Sequence, residues 1–563
     1  MKWINNEAPP TERVLQLEQK LGIPTAVATV LIQRGISSFD LAKTFFRPSL
    51  DALHDPFLML GMSEAVARVF SAVTHNEKIM IYGDYDVDGT TAVALMASYL
   101  QTLTSEVATY IPDRYSEGYG LSSTGIQFAH DNEITLLIVL DCGIKAMEQV
   151  EEAKALEIDC IICDHHLPGE ELPKAVAILD PKQEGCSYPF KELCGCGIGF
   201  KLIQALALEQ GHDITSLMPY LDLVATAIAA DIVPLTGENR ILAHYGLEQL
   251  NTAPRPGLEL LIQNTKKKRL QLSDLVFIIA PRINAAGRMQ HGHYAVDLLC
   301  SPDKDSALPL ARAIELMNSE RRLTDEKITQ EALEQMPDLN TEVSTVVMQE
   351  NWHKGVVGIV ASRLIESHYR PTVVLTASED TLVGSVRSVR GFDVYEAIKA
   401  CSEHLIQFGG HKYAAGLTME KTNLVPFREA FEAAVIERIL PEQLEPSMIY
   451  DTSIVFKEIT PKLYRILQQM APFGPQNMRP VFHTRGVKDT GGTKVVGKDQ
   501  THLKLEVTDF SGVSFSGIGF GMATHISQIK SQGSFELLYT LDENEYNGQK
   551  NLQLKVKALR FTQ

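Results

Sequence analysis

No run of about 18 or more apolar residues occurs in this chain, which excludes a membrane-spanning helix. Cysteine is sparse. The eight cysteines of 563 residues stand at 142, 160, 163, 186, 194, 196, 300 and 401, a pattern that makes no disulfide framework. Cys160, Cys163, Cys300 and Cys401 fall in apolar runs and read as small core residues. Cys186, Cys194 and Cys196 fit no common zinc-knuckle spacing, and Cys194-Gly195-Cys196 lies in a glycine-rich segment. Positive charge is also short: 52 Lys and Arg against 70 Asp and Glu leave −18. Such a polyanion does not coat nucleic acid non-specifically, so any contact with it needs a local basic groove. Repeats and low-complexity tracts are missing. The first residues, Met1 to Glu7, lack an apolar core followed by a small-residue cleavage site, so no signal peptide is expected. A reducing cytoplasm is the expected setting.

What is present is ordinary globular composition, 45% apolar and 22% charged. The length suggests roughly three or four domains. Residues 1–75 read as helical, with apolar spacing over 14–21 and 26–34. From Lys78 short apolar runs alternate with helical patterns: 78–83, 106–111, 136–140, 159–163 and 176–179 as strands, with helices over 91–103 and 146–156 between them. That alternation predicts a parallel α/β sheet with its ligands beyond the strands' carboxyl ends. Residues 195–300 are mostly helical. Ser301 to about Met336 has no internal Gly and predicts one long connecting helix. A second α/β block follows, with strands over 343–348, 372–376 and 383–389. From about Leu444, five short strands (481–486, 501–508, 513–520, 535–541 and 552–559) suit a small barrel of OB-fold type.

Each of three early strands ends in acids or histidines: Asp84-Tyr85-Asp86-Val87-Asp88-Gly89, Asp141-Cys142-Gly143 and Asp164-His165-His166. Asp231 follows a later apolar helix. One strand-end Asp is commonly a cap or a turn former. The first segment also looks like the start of a calcium loop, but Leu95 stands where that loop needs Glu. Taken together, five Asp and two His at one sheet edge are too many for a single ion and suit two. The mixed donors favour Mn²⁺ or Mg²⁺ over a thiolate-seeking metal. Ser385 and Arg387, two apart on a predicted strand, face one side and can grip a phosphate. Arg114, Arg282, Asn284 and Arg288 are further candidates, and Gly409, Gly410 and His411 would allow close backbone approach to a substrate. Between Arg479 and Lys504 six Lys and Arg meet two Asp. This local +4 can line a single-strand groove, with Phe473, Phe482 and Tyr546 for stacking, although Phe482 also fits a core position. The run Lys266-Lys267-Lys268-Arg269 reads equally as a solvated helix end or a nucleic-acid contact.

With the other three segments, Asp164-His165-His166 resembles the signature of the DHH phosphoesterase superfamily. Over nearly the whole chain the resemblance is to the RecJ family of bacterial single-stranded-DNA-specific exonucleases. It is carried by Leu31 to Gly35, Phe46-Arg47-Pro48, Asp55-Pro56-Phe57, Ile111 to Tyr115, Glu117 to Leu121 and the string Pro281 to Met289. Gly384 to Ser388 and Phe408 to His411 resemble the companion DHHA1 domain, and Ala471-Pro472-Phe473-Gly474 opens the family's OB-fold. Two places depart from the family. Asp180-Pro181 stands where Asn-Pro is usual, and Gln476-Asn477-Met478 where Gly-Asn-Pro is usual.

The resemblance implies a multidomain α/β protein. Its expected parts are a helical segment (1–75) packed on a parallel-sheet DHH catalytic domain (76–300), a connecting helix (301–337), an α/β DHHA1 substrate-binding domain (338–443) and an OB-fold β-barrel binding single-stranded DNA (444–563). It implies a 5′-to-3′ exonuclease that hydrolyses phosphodiesters with two divalent ions, Mn²⁺ or Mg²⁺, and releases 5′-mononucleotides in recombination and repair. Asp84, Asp86, Asp88, Asp141, His165 and Asp231 would hold the metals, with Asp141 bridging, and the division of Asp84, Asp86 and Asp88 between the ions stays open. His166 would meet the scissile phosphate or leaving group, and Ser385 and Arg387 a 5′ phosphate. The partners implied are a single-stranded-DNA-binding protein and a RecQ-type helicase, and the expected state is a monomer. A phosphodiesterase on oligoribonucleotides or cyclic dinucleotides is the nearest alternative, but such relatives lack the terminal barrel. A non-catalytic replication scaffold would have lost ligands, and all four motifs keep theirs. A pyrophosphatase fits less well, since its second domain and first motif differ.

Overall fold

The computed structural model describes all residues except Lys266, Pro337, Leu339, Asn340, Gln532, Asn547, Gly548, Thr562 and Gln563, and the side chains of Tyr546 and Gln549. The chain divides into two compact units. The first comprises 1–2, 55–231 and 246–446, and the second 3–54, 232–245 and 447–563.

The first unit opens on a five-stranded sheet. Its strands are β1 (Ile79–Gly83), β2 (Val107–Tyr110), β3 (Leu136–Leu140), β4 (Asp159–Cys163) and β5 (Ala177–Leu179). They pair in the order β2-β1-β3-β4-β5, all parallel. Every residue of β1 and β3 is buried, which explains why both read as unbroken apolar runs rather than alternating ones. Helices α1 (Val87–Leu100), α2 (Ser123–Asp131) and α3 (Met147–Ala155) return the chain between strands. After the sheet come α4 (Gly195–Glu209), α5 (Leu221–Ala230) and α6 (Ala280–Met289). α7 (Lys304–Leu333) is the expected long helix, 30 residues with Asp303 as N-cap, its carboxylate accepting from the Ser306 N–H. Its buried residues, among them Ala307, Ala311, Ile314, Asn318, Arg321, Asp325, Ile328 and Ala332, recur at helical spacing.

A second sheet follows: β6 (Thr345–Met348), α8 (Val357–Ser367), β7 (Thr372–Ser378), β8 (Thr381–Arg387), β9 (Gln407–His411) and β10 (Ala414–Glu420), in the order β9-β10-β8-β7-β6. The β9–β10 hairpin departs from the sequence reading, which saw only a glycine cluster at 409–411. In β9 only Phe408 is partly buried, so the strand carries no apolar alternation to betray it.

In the second unit, β11 (Phe482–Asp489), β12 (Lys494–Val496), β13 (His502–Thr508), β14 (Ser514–Gly519), β15 (Phe535–Tyr546) and β16 (Gln549–Phe561) form a sheet in the order β11-β15-β16-β14-β13-β12. Pairing of β11 with β13 closes it into a barrel. One expectation is corrected here. Residues 1–75 do not pack as one body on the parallel-sheet domain. Val14, Leu17 and Ala26 to Leu31 share a core with Phe456, Leu463, Phe482, Leu505 and Tyr539 of the barrel unit, whereas Met62–Thr74 belongs to the first unit. Periodicity showed that the early helices are amphipathic but not which core takes their apolar face. Arg240 ties this unit together. Its buried guanidinium donates to the carbonyls of Phe45, Met470, Ala471 and Pro472 and lies 3.9 Å from the Phe45 ring centroid.

Candidate active site

Because β1, β3 and β4 run parallel and adjacent, their carboxyl ends lie at one edge, and each end is followed by an acid: Asp84, Asp141 and Asp164. Asp86 is the N-cap of α1, accepting from the Gly89 N–H at 3.1 Å. Asp88, in the first turn of α1, accepts from the N–H groups of Gly195 and Cys196 at 2.7 and 2.8 Å, so its carboxylate sits on the N-terminus of α4. Gly195 must be glycine there, since a Cβ would collide with the Asp141 carboxylate. Asp141 holds φ at 61°, a left-handed conformation that costs about 1–3 kcal/mol in a non-glycine residue. Asp231 ends α5.

His165 Nε2 lies 3.3 Å from Asp141 Oδ1 and 3.8 Å from Asp231 Oδ2. Burial, then the neighbouring His166, pushes its pKa down to about 3, so the ring is neutral. A hydrogen bond to the Leu193 backbone occupies the other side of the ring. Nε2 therefore turns a lone pair toward two carboxylates, an arrangement that calls for a cation between them. Burial raises Asp84 and Asp141 well above the usual carboxylate range, and the surrounding acids add to it. Asp88 is pushed up to about 6 by burial and Asp86, and Asp231 to about 9 by burial, Asp88 and Asp86. Asp84 Oδ1 and Asp141 Oδ1 are buried with no hydrogen-bond partner. Donor atoms of Asp88, His165 and Asp231 lie within 4.8 Å of one another, as do those of Asp141, His165 and His166. Oxygen with imidazole nitrogen suits Mn²⁺ or Mg²⁺.

His166 is oriented by Asp164. Its Nδ1 lies 2.7 Å from Asp164 Oδ1, and the same carboxylate accepts from the N–H groups of Ile144, His165 and His166. Burial opposes both charges, but this pairing outweighs it, lowering the Asp164 pKa and raising that of His166. His166 Nε2 faces the Tyr119 hydroxyl at 3.2 Å. Three contributors here escaped the sequence reading: the orienting role of Asp164, the hydroxyl of Tyr119, and Lys182, whose Nζ donates to the His165 carbonyl at 2.5 Å. Tyr119 lay inside a quoted loop motif, and Lys182 follows the Asp180-Pro181 departure by one residue. Nothing in either string announces contact with the third acidic motif.

Beside the acids stands a basic cluster. The Arg114 guanidinium lies 4.7 Å from the Tyr85 ring centroid, between Asp84 and Asp86 in sequence. Burial lowers the Arg288 pKa to about 10, and Arg114, Arg387 and Arg321 act in the same sense while Asp86 opposes them. Burial and Arg114 likewise lower Arg387. Arg387 donates to Ser385 Oγ at 2.9 Å. Both pack against Gly358 in the first turn of α8, where a Cβ would come within 2.9 Å of Ser385 Oγ and 3.0 Å of the Arg387 guanidinium. Crowded guanidiniums, a hydroxyl and a helix N-terminus make an anion site. Gly409 pairs with Gly416, which pairs with Ser385, and His411 aligns with Arg387 through Ala414. The glycine strand thus lies in register with this pair, two strands or about 10 Å away.

Other candidates go elsewhere. Arg282 pairs with Glu315 at 2.7 Å and donates to the Ile278 carbonyl, which ties it to α7. Asn284 stays partly exposed on α6. Lys267 pairs with Asp274 at 3.0 Å, while Lys266 and the Tyr546 ring lie outside the described residues. In the barrel, Phe482 is fully buried and Arg479 sits over Phe473 at 4.9 Å. Phe520, which the sequence reading passed over, is exposed beside Lys555 and His502.

Three sequence families match: the DHH family, N-terminal domain over 78–228, the DHHA1 domain over 340–437 and the RecJ OB domain over 450–558. The single-stranded-DNA-specific exonuclease RecJ of Bacillus subtilis is 36% identical over 563 residues, covering 99% of this chain and 70% of that protein. Its Escherichia coli counterpart is 33% identical, covering 88% and 89%. Among solved structures, RecJ from Thermus thermophilus in complex with Mn²⁺ superposes with a TM-score of 0.86 at 25% identity, covering 100% of this chain and 80% of that one. The Mg²⁺ complex of the same protein gives 0.80. Matches to the DHH, DHHA1 and RecJ OB families follow one another along the chain, relatives of 33–36% identity align with most or all of it, and the protein belongs to the RecJ family.

Proposed function

We propose that this chain is a metal-dependent exonuclease on single-stranded DNA. It works from the 5′ end, releases 5′-mononucleotides and serves DNA recombination and repair. The observation that carries the chemistry is the pair of unpartnered buried oxygens on Asp84 and Asp141 beside Asp88, His165 and Asp231. Asp84, Asp86, Asp88, Asp141, His165 and Asp231 would hold two cations, Mn²⁺ or Mg²⁺. When bound, these offset the crowded negative charge, acidify an attacking water and draw charge from the phosphate. The remaining work falls to the chain. Asp164 locks the His166 ring with Nε2 outward, where it can donate to the scissile phosphate or the leaving oxygen. Lys182 braces the His165 backbone. Arg114, Arg288, Ser385, Arg387 and the N-terminus of α8 grip the 5′ phosphate, and Gly409, Gly410 and His411 give the following nucleotide a low strip of backbone. Arg282 is held by Glu315 and the Ile278 carbonyl and has no part in this grip. The barrel unit binds single strands through Phe473, Phe520, Arg479 and Lys555. A cytoplasmic monomer, a single-stranded-DNA-binding protein and a RecQ-type helicase complete the reading, and these rest on the family resemblance.

The test is a Mn²⁺ time course on one 5′-phosphorylated strand labelled in turn at each end. The 5′ label should appear at once as mononucleotide while the 3′ label forms a descending ladder. Asp141→Ala should lose at least about a hundredfold in rate. Turnover of dinucleotides without digestion of the long strand would overturn the substrate assignment, and binding without hydrolysis would overturn the enzyme itself.

A further inference from the structure

Three glycines stand in series between the acidic edge and the phosphate pocket, each where no Cβ fits. At Gly287, on α6, a Cβ would come within 2.8 Å of the Tyr85 carbonyl oxygen. At Gly355 it would collide with the Arg288 carbonyl oxygen and the Tyr115 hydroxyl, and at Gly358 it would press on Ser385 and Arg387. The path from the acidic motif to the phosphate pair is therefore closely packed, with backbone against backbone at Gly287 and Gly355 and backbone against side chains at Gly358.

Side chains lock the middle of this path. The Tyr115 hydroxyl donates to the Arg288 carbonyl, and the Arg288 guanidinium donates to the Gly355 carbonyl at 3.0 Å. Lys354 Nζ lies 4.3 Å from the Tyr115 ring centroid, and the His353 ring meets Tyr115 edge-on at 6.2 Å. Both flanks are anchored. Asp113 Oδ1 accepts from the N–H groups of Tyr115 and Ser116 at 2.9 and 2.8 Å. Buried Trp352 donates to Glu331 of α7 at 2.7 Å, and its carbonyl accepts from Thr376 Oγ1 at 2.7 Å. Val356, immediately after Gly355, is the N-cap of α8, against which Ser385 and Arg387 pack.

We propose that Tyr115, His353, Lys354 and Gly355 form a register clasp. By fastening the N-terminus of α8 to Arg288, it sets the span between the 5′-phosphate site and the metal-binding acids, and so limits each cut to one nucleotide. This rests on the exonuclease reading above. A strand whose terminal phosphate is gripped at fixed distance presents only its first internal phosphodiester to the acids. Misplacement by about 1 Å is enough to cost two orders of magnitude at the favoured bond, so a loosened grip weakens the preference for it and lets a strand that has slid by one nucleotide compete.

Product length is the measurement, since a merely structural role would slow the enzyme without changing what it releases. Tyr115→Phe, Lys354→Met and Gly355→Ala would each digest a 5′-phosphorylated, internally labelled strand, with products resolved as mono-, di- and trinucleotides. At least a roughly fivefold rise in the di- and trinucleotide share is expected, largest for Gly355→Ala. If that variant does not fold, Tyr115→Phe and Lys354→Met carry the same test, since they leave the backbone contacts in place. Variants that release only mononucleotides, however slowly, would overturn the clasp. A wild-type enzyme that does not release mononucleotides from the 5′ end would instead overturn the exonuclease reading, and the clasp with it.

Discussion

Asp141 shows how function is stored in one residue. It follows a fully buried strand, adopts a left-handed backbone and keeps an oxygen without a partner. The left-handed backbone and the unpartnered oxygen both cost an isolated fold, and a cation relieves the second. The carboxyls around it carry the same signature as raised pKa values. A carboxyl whose folded pKa stands above its unfolded value binds its proton more tightly when folded, so ionising it costs stability. Asp88, at about 6 against 3.8, accounts for roughly 3 kcal/mol by this route. Below about pH 6.5 His165 acts in the opposite sense, because the fold keeps it neutral. The clean window is therefore pH 7 to 9, through which Asp231 loses its proton at about 9. Metal-free protein should show a thermal midpoint that falls across this window, and Mg²⁺ should remove most of the fall. Equal slopes with EDTA and with Mg²⁺ would show that these acids do not receive the ion.

At the scale of elements, α7 does more than connect. Asp325, fully buried on it, pairs with Arg363 of α8 at 2.7 Å and lies 3.6 Å from Arg321. Arg321 in turn donates to Asn318 at 2.7 Å. Burial raises the Asp325 pKa, and the two arginines oppose this. Removing one member of a buried charge group leaves the others uncompensated. Asp325→Asn should cost about 3 kcal/mol, at the low end for such pairs because Arg363 is partly exposed. Thermal unfolding checks it. An unchanged midpoint would mean that apolar packing alone, through Val360, Ala361 and Leu364, holds α8 to α7.

At the scale of the whole molecule, the barrel unit is assembled from three separate stretches of chain. Thr11–Leu21 and Thr25–Gln33 place Val14, Leu17, Val27, Val30 and Leu31 in the same core as Phe456, Leu467 and Phe482. A truncation that deletes only 447–563 strips the cover from that apolar face. Such a protein should be insoluble or aggregate on purification, whereas one lacking both 1–54 and 447–563 should fare better, as judged by size-exclusion chromatography. If the single deletion stays monomeric and folded, the early helices do not depend on the barrel core.

Local patterns were enough to read most elements and the residue types of the site. Buried parallel strands write themselves as apolar runs, a gap-free helix as the absence of glycine over 304–333, and metal chemistry as acids at consecutive strand ends. Those are properties of short segments, so a single sequence carries them. The strand of Gln407–His411 was not legible, because its side chains are exposed or absent and leave no period. Nor was the placement of residues 11–33, since an amphipathic face states that it is buried but not against what. The alignment of Arg114, Arg288 and Arg387, separated by some 270 residues of chain, and the lines from Asp164 through His166 to Tyr119 and from Tyr115 through Arg288 to Gly355, depend on long-range packing. Only the tertiary structure could decide them, because a hydrogen bond or a steric contact between distant segments leaves no trace in either segment alone.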